Sequence, residues 1–431
     1  MGKKLLGVTG VVFLVALSAM FAVLTTAANA RSSTTTLTLW HNYGTEGNAV
    51  ATNNLVKAFE KSHPDIKIKV VSQPAENYFA LLQAASISKT GPDLATMWTG
   101  LFALKYQKFI ADLKPYFSAA ERAKLNGIRY MAPDFNPAKG FLVMPLEVQF
   151  YIGFYNKALF KRAGLSGPPE SWAELQTACQ KLNAKGITPI LVGADSQAIS
   201  ATFLPWYDFS YLMAGILSPD QWRGLYTGKV AWNSPLVTAA ATKWAGLRTS
   251  GCTNKDVLTR LDVLGQFAKG KAAMIFDGNW DTATLQKGLG SKLGAFAPPY
   301  QNPKIRGVIQ YPGDGFSLMN YSSHKDEAVQ FLKFMQTPAA LKIVSAAGLI
   351  PDVRGYKTTN PVLNEMLDLS AKQGYAKYPM LDNVIQPEVV TVGQKLLVAA
   401  FGGTISVTKA LDGMTSTHDA IPDDRKGPVY R

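Results

Sequence analysis

The chain is poor in the residues that build most enzyme and metal sites. Of 431 residues only two are cysteine and four are histidine. Two cysteines exclude a disulfide-scaffold toxin and a Cys-based zinc site. His41, His63, His324 and His418 show no metal-ligand spacing. Charged residues make up only 17% and hydrophobic ones 47%, which excludes a disordered chain. Beyond the first thirty positions no stretch is long and apolar enough to cross a bilayer, so a polytopic membrane protein is excluded. No Gly-x-Ser-x-Gly elbow, phosphate-binding Gly-x4-Gly-Lys-Ser/Thr loop or His-Glu-x-x-His is present. Gly288, Gly290 and Gly294 only approach a dinucleotide fingerprint, without a long strand before them, and read as a surface turn. Glycoside hydrolysis requires two carboxylates about 5 to 10 Å apart. Glu147, Asp277, Asp281 and Asp314 offer candidates, but nothing selects a pair.

Basic side chains outnumber acidic ones, 44 to 30, for a formal charge of +14. They are dispersed among Asp and Glu with no basic run of five, so a basic solvated surface explains them better than a nucleic-acid site. The length implies two lobes rather than one core.

Lys3 and Lys4, the mostly apolar Leu5 to Leu24, and Ala28-Asn29-Ala30 before the polar RSSTTT form the pattern of a secretory signal peptide covering 1–30. An uncut membrane anchor is the alternative. No cysteine ends the apolar run, as a lipoprotein anchor requires. Export places the chain in the periplasm or the cell-surface space. In that oxidising compartment Cys179 and Cys252 are expected to pair, stabilising the fold by roughly 4 kcal/mol in the chain-entropy account. Two buried free thiols are the alternative.

Along the rest of the chain, strand and helix patterns alternate. Thr36 to Trp40 alternates as a strand. Leu55, Val56 and Phe59 have helical spacing, stopped at His63-Pro64. Ile66 to Val70 and Asp93 to Trp98 are further strands, with a helix from Tyr78 to Ser86 between them. Leu142 to Tyr155 is a long extended run. Ser171 and Glu174 form a capping box. About 200–248 is helical, and Lys271 to Phe276 is a strand broken at Asp277-Gly278-Asn279-Trp280. Such alternation predicts α/β layers around a largely parallel sheet.

In open α/β sheets ligands sit outside the C-terminal strand ends. Trp40-His41-Asn42-Tyr43-Gly44 and Trp98-Thr99-Gly100 fall at such ends, and Trp280 follows a strand beside Asn279 and Asp281. An indole covers the apolar face of a sugar while amides, carboxylates and arginine bond its hydroxyl rim. For any single tryptophan, core packing is the competing explanation. Trp172, Trp222, Trp232 and Trp244 fit it best.

These segments resemble the extracellular solute-binding proteins (family 1) of ABC sugar importers, the group that contains maltose-binding protein. The resemblance runs through TLTLWHNYG and AFEKSHPDIKIKVV, GPDLATMWTG, PLEVQFYIGFYNKALFKRAGLSGPPESWAELQTACQKL, GITPI, FAKGKAAMIFDGNW, GDGFSLMNYSSHKDEAVQFLKFMQTPAAL and GLIPDVRG, in the family's order. It implies a two-lobed, hinge-bending α/β fold with a cleft between lobes. One lobe would hold 36–147 and 277–313, and the other 148–276 and 314–431. The crossings would fall near Gln149, Phe276 and Gly315. Cysteines in two corresponding segments of several members support the Cys179–Cys252 bridge.

The resemblance also implies ligand-binding positions. His41, Asn42, Tyr43 and Glu46 match the region after the first strand. Trp98 and Thr99 match the loop after the third. Glu147 and Gln149 match the first hinge strand, and Trp206 and Asp208 a second-lobe aromatic platform. Asn279 and Trp280 match the Gly-x-Trp turn, Gly313 and Asp314 the third crossing, Arg354 the late Ile-Pro loop, and Asp382 a late cleft segment. The chain departs from maltose-binding protein in its second- and third-strand loops, and it lacks that protein's late tryptophan, so maltose specificity does not transfer. The implied function is capture without chemistry of a mono- to oligosaccharide by a monomer. The captured sugar would pass to membrane permease subunits, with no cofactor, metal, catalytic residue or nucleic acid involved. A phosphorylated polyol such as glycerol 3-phosphate, and a secreted carbohydrate-active enzyme, are the alternatives.

Overall fold

A computed structural model describes residues 34–44, 46–193 and 204–428. The expected signal peptide at 1–30 lies outside these residues. Two sheets organise the chain. The first has the order β2-β1-β3-β10-β4, formed by β1 (Thr35–His41), β2 (Ile66–Ser72), β3 (Leu94–Trp98), β4 (Met144–Pro145) and β10 (Asp314–Leu318). β1 runs parallel to β2 and β3, and β10 runs antiparallel to β3. Leu37 and Leu39 of β1 are fully buried, as their alternation predicts.

The second sheet is built around β5 (Glu147–Asn156). It also contains β6 (Thr188–Ile190), β7 (Ala272–Gly278), β8 (Leu293–Phe296), β9 (Arg306–Pro312), β11 (Ile350–Pro351) and β12 (Tyr375–Tyr378). Its main path is β12-β9-β5-β7-β6, with β8 and β11 also paired to β5. Four of these strands meet β5 antiparallel. The expectation of a largely parallel arrangement therefore holds for β1, β2 and β3, whereas the second sheet is mixed, with β12 parallel to β9 and β6 parallel to β7. β5 is buried along nearly its whole length, and a strand covered on both faces reads as a continuous apolar run, without alternation.

Strand pairing corrects the expected division of the chain. Residues 277–313 do not join the first lobe: β7 pairs with β5 as far as Gly278, and β8 and β9 pair with β5 as well. The segment from Asp314 returns to the first sheet, where β10 lies between β3 and β4. The helix Lys325–Phe334 packs on this sheet, and Pro338–Ala346 packs against the helix Gly47–Ser62. The chain passes between the sheets at Leu146, at Gly313 and between Ala346 and Ile350. Phe276 lies inside β7 and is not a crossing. The sequence reading placed the exchange at the end of the 271–276 strand, but partner choice between strands is set by long-range packing, not by local pattern.

The second lobe buries the tryptophans assigned to packing. Trp222, Trp232 and Trp244 are at most 2% exposed. They lie on or beside the helices Pro219–Thr227 and Pro235–Thr249. Ser171 caps the helix Trp172–Asn183, and Glu174 completes the capping box. That helix carries Cys179, which is bonded to Cys252 with Cα atoms 5.1 Å apart.

Behind the crossings, Asp352 links the two lobes. Its Oδ1 accepts from the Asn126 backbone N–H and side-chain amide, both at 2.8 Å. Burial raises its carboxyl to about 7.

Two predictions follow from these contacts. The disulfide closes a loop with a sequence separation of 73, so the double variant Cys179→Ala/Cys252→Ala should lose about 4 kcal/mol of stability. Equilibrium urea unfolding would read this as a lower midpoint, and an unchanged midpoint would deny the bridge a stabilising role. Asp352 ionises near 4 in the unfolded chain but resists ionisation in the fold, so its contribution to stability falls as pH rises from about 4 to 7 and stays low above that. Asp352→Asn keeps the Oδ1 acceptor and removes the charge. Its stability relative to the parent should therefore climb across that window and then level off, whereas a pH-independent difference would refute the assignment.

Candidate functional site

Several strand ends and crossings meet at one cavity. Antiparallel register places Asp314, the first residue of β10, opposite Trp98, the last of β3. The turn after β1 brings Asn42 and Tyr43 to the same place, with Glu46 just beyond. From the second lobe, register sets Gln149 of β5 opposite Tyr311 of β9, and the Tyr311 hydroxyl donates to Gln149 Oε1. Tyr207 comes from the helix Leu204–Met213, and Met380, Asp382 and Asn383 from the segment around the short helix Leu381–Val384. Together they line one cavity, open to solvent, whose volume in this arrangement of the lobes is about 50 Å³.

Trp280 completes the wall from the turn Asn279–Asp281. Its ring folds back over Gly278, where a Cβ would lie 2.1 Å from the indole; only glycine permits this approach. Trp98 is held edge-on by Phe79 and Phe102, with ring centroids 4.9 and 4.7 Å away. It keeps part of its surface exposed. One indole from each lobe therefore borders the same space.

Among the described residues the lining contains three carboxylates, Glu46, Asp314 and Asp382, and no lysine or arginine. Burial raises Asp382 to about 7. Asp314 is raised by burial and then by repulsion from Glu147 and Asp382. Glu46 is raised by burial and by Asp281, Asp314, Asp277 and Glu147. Desolvation lowers His41, which favours its neutral ring. Among the described residues no three His, Cys, Asp or Glu side chains are grouped to hold a metal ion.

The remaining sequence candidates lie around the cavity or away from it. Glu147 is fully buried and already bound: it accepts from Asn48 at 2.5 Å, Gln149 at 3.0 Å and Asn279 at 3.1 Å. Its partners set the turn and the hinge strand, so it and Asn279 act behind the wall. His41 Nδ1 accepts from the Tyr43 N–H at 3.2 Å, which fixes the turn. The Thr99 hydroxyl donates to the Pro312 carbonyl at 2.8 Å. Gly313 lies against Gln149, whose Cγ a Cβ would meet at 2.4 Å.

Trp206 is not an aromatic platform. It is fully buried and packs against Gly393, where a Cβ would come within 2.4 Å of its ring. Asp208 accepts from the Tyr151 hydroxyl at 3.2 Å inside the second lobe. Arg354 is exposed, and its Nε donates to the Leu125 carbonyl at 2.9 Å behind the crossings. The sequence reading passed over Tyr207, Tyr311, Met380 and Asn383. Tyr207 is one position from the chosen Trp206, and helical geometry turns that neighbour toward the cavity.

The lobes also touch directly beside the cavity. The Asn383 amide donates to the Thr99 carbonyl at 2.9 Å. Gly100, at φ +79°, lies so close that a Cβ there would be 1.9 Å from the Asn383 carbonyl oxygen.

Comparison with known proteins agrees with this architecture. A chitin oligosaccharide binding protein superposes with a TM-score of 0.80 at 21% identity, covering 90% of this chain and 98% of its own. A maltose-bound MalE3 of T. maritima gives 0.73 at 19%, covering 89% and 99%. At such identities these matches show the fold. By sequence, the chain is 22% identical over 311 residues to a multiple sugar-binding protein of Streptococcus mutans, covering 67% of this chain and 68% of that one. It is 25% identical over 348 residues to an sn-glycerol-3-phosphate-binding periplasmic protein of Brucella abortus, covering 74% of each. The profile of the bacterial extracellular solute-binding proteins matches residues 44–342. With two sheets joined by three crossings around one lined cavity, and with that match over most of its length, the chain belongs to the bacterial extracellular solute-binding protein family.

Proposed function

We propose that this chain captures a small carbohydrate between its lobes and delivers it to the membrane permease of an ABC importer, without chemical turnover. The supporting observation is the meeting of Trp98 from one lobe and Trp280 from the other on one cavity with amides and carboxylates. A sugar ring needs this combination: flat apolar surface for its C–H face and acceptors and donors for its rim. Because the two indoles sit on different lobes, a guest touches both only when the lobes are together. The ligand then favours the closed arrangement by its extra contacts, and the permease has a distinct shape to recognise.

The family relationship and the relative named as sugar-binding support the same reading. The relative named for glycerol 3-phosphate raises a phosphorylated polyol as a second reading. A phosphate needs cationic or N–H donors. Among the described residues no lysine or arginine lines the cavity, and Arg354 is engaged elsewhere, so carbohydrate is favoured. The related proteins are binding proteins, which supports capture over catalysis. Export by the N-terminal segment and action as a monomer complete the proposal.

Two substitutions test it against a sugar found by thermal-shift screening. Trp280→Ala should weaken binding by about 1–3 kcal/mol, several-fold to over a hundred-fold; calorimetry showing unchanged affinity would remove Trp280 from the site. Gly100→Ala should hold the lobes apart, besides straining its own loop, where φ +79° disfavours a side chain. Apparent affinity should then fall roughly ten-fold or more, because the competent state is less populated. Ligand-induced compaction in small-angle scattering should shrink with it, and full compaction would show that the Gly100–Asn383 approach is not needed for closure.

A further inference from the structure

Basic residues outnumber acidic ones by 44 to 30 in the whole chain, yet the cavity wall has the opposite balance. Glu46 and Asp314 come from one lobe and Asp382 from the other, and among the described residues no basic side chain accompanies them. Behind the wall, Glu147 and Asp281 add to the negative field that reaches Glu46. Asp314 feels both Glu147 and Asp382. Bringing the lobes together thus gathers like charges in a place that water partly leaves, which is costly without a counter-charge.

Two buried acceptors stand ready at the same wall. Asn42 is 2% exposed and Asp382 5% exposed. Among the described residues Asn42 Oδ1 has no hydrogen-bond partner, while the Asp382 carboxyl takes a 3.4 Å bond from the Tyr207 hydroxyl on Oδ2 and bonding from the Asp382 and Asn383 backbone. A buried acceptor without a partner calls for a donor from a guest. A metal ion does not fit, since no three such side chains are grouped to hold one among the described residues. A neutral sugar supplies hydroxyl donors but no counter-charge, so carboxyls that burial and mutual repulsion push toward their protonated form stay there. A protonated amine supplies both, and the rings of Trp98, Trp280 and Tyr207 add faces that attract a cation.

Resting on the carbohydrate reading above, we propose that the guest is an amino sugar carrying a protonated amine, held between Asp314 and Asp382 with Asn42 accepting from its rim. The amine neutralises the carboxylates only when both lobes surround it, so charge compensation itself drives closure. An N-acetylated sugar has lost the charge and gains none of this.

Titration calorimetry on the full mature chain tests the idea with three matched series of one to three units: glucosamine oligomers, the corresponding β-1,4-linked glucose oligomers, and their N-acetylglucosamine counterparts. The amine series should bind at least about ten-fold more tightly than either neutral series at the same length, since charge-assisted hydrogen bonds are roughly twice as strong as neutral ones. Asp314→Asn and Asp382→Asn should each bring the ratio of amine to neutral affinity down to within about three-fold, whatever they do to the two affinities separately. Equal or tighter binding of a neutral series by the parent protein overturns the proposal, whatever the variants do, and leaves carbohydrate capture standing. Choline included as a sugar-free cation should bind weakly; choline binding as tightly as glucosamine would also overturn it. Carbohydrate capture itself fails separately, if neither these nor a wider panel of maltose, raffinose and galactose binds.

Discussion

The three amides around Glu147 hold together much of what the two lobes share. The carboxylate sits where β4 of the first sheet gives way to β5 of the second. It joins Asn48 from the first-lobe helix, Gln149 from the hinge strand and Asn279 from the turn that presents Trp280. A buried carboxyl is costly unless its oxygens are satisfied, and here burial raises it to about 7 while the three amides pull it back down. The Asn279 side chain also accepts from the Phe150 N–H at 2.8 Å. One interaction thus sets the crossing, the neighbouring strand and the position of an indole on the cavity wall.

Around this point the fold separates rigidity from movement. The second sheet is held by four strands that meet β5, with β12 and β6 at its edges, and the second lobe also carries the disulfide. The first sheet is closed by β10, which returns after the chain has built most of the second lobe. The lobes communicate through three crossings and hydrogen bonds around them: Asn126–Asp352 and Arg354–Leu125 behind, Asn48–Glu147 at the hinge, and Thr99–Pro312 and Asn383–Thr99 in front. A guest that bridges the lobes adds contacts made only in the closed arrangement and so shifts the joint toward it.

The cavity shows how chemistry and fold were divided between residues. Aromatic rings arrive singly from distant segments and are fixed by local packing, as Phe79 and Phe102 fix Trp98. Acidic groups collect in the cleft although the chain is basic overall, while the dispersed lysines and arginines stay off this wall. Histidine 41, an obvious candidate by type, serves the backbone of its own turn.

By itself the sequence determined what depends on neighbours along the chain. The alternation in Thr36 to Trp40, the capping box at Ser171 and the Gly-x-Trp break at Trp280 each encode their local structure, because dihedral preference, caps and glycine clearance act over a few residues. It also marked Asn42, Tyr43, Glu46, Trp98, Gln149, Trp280, Asp314 and Asp382, all on the cavity wall. Tertiary structure alone decided which strands pair, and so returned Asp314 to the first sheet and kept 277–313 in the second. It buried Trp206 while turning Tyr207 outward, and it set Arg354 behind the hinge. Those outcomes follow from contacts between segments hundreds of residues apart, where the winning partner is the one that buries the most surface and leaves the fewest polar groups unpaired.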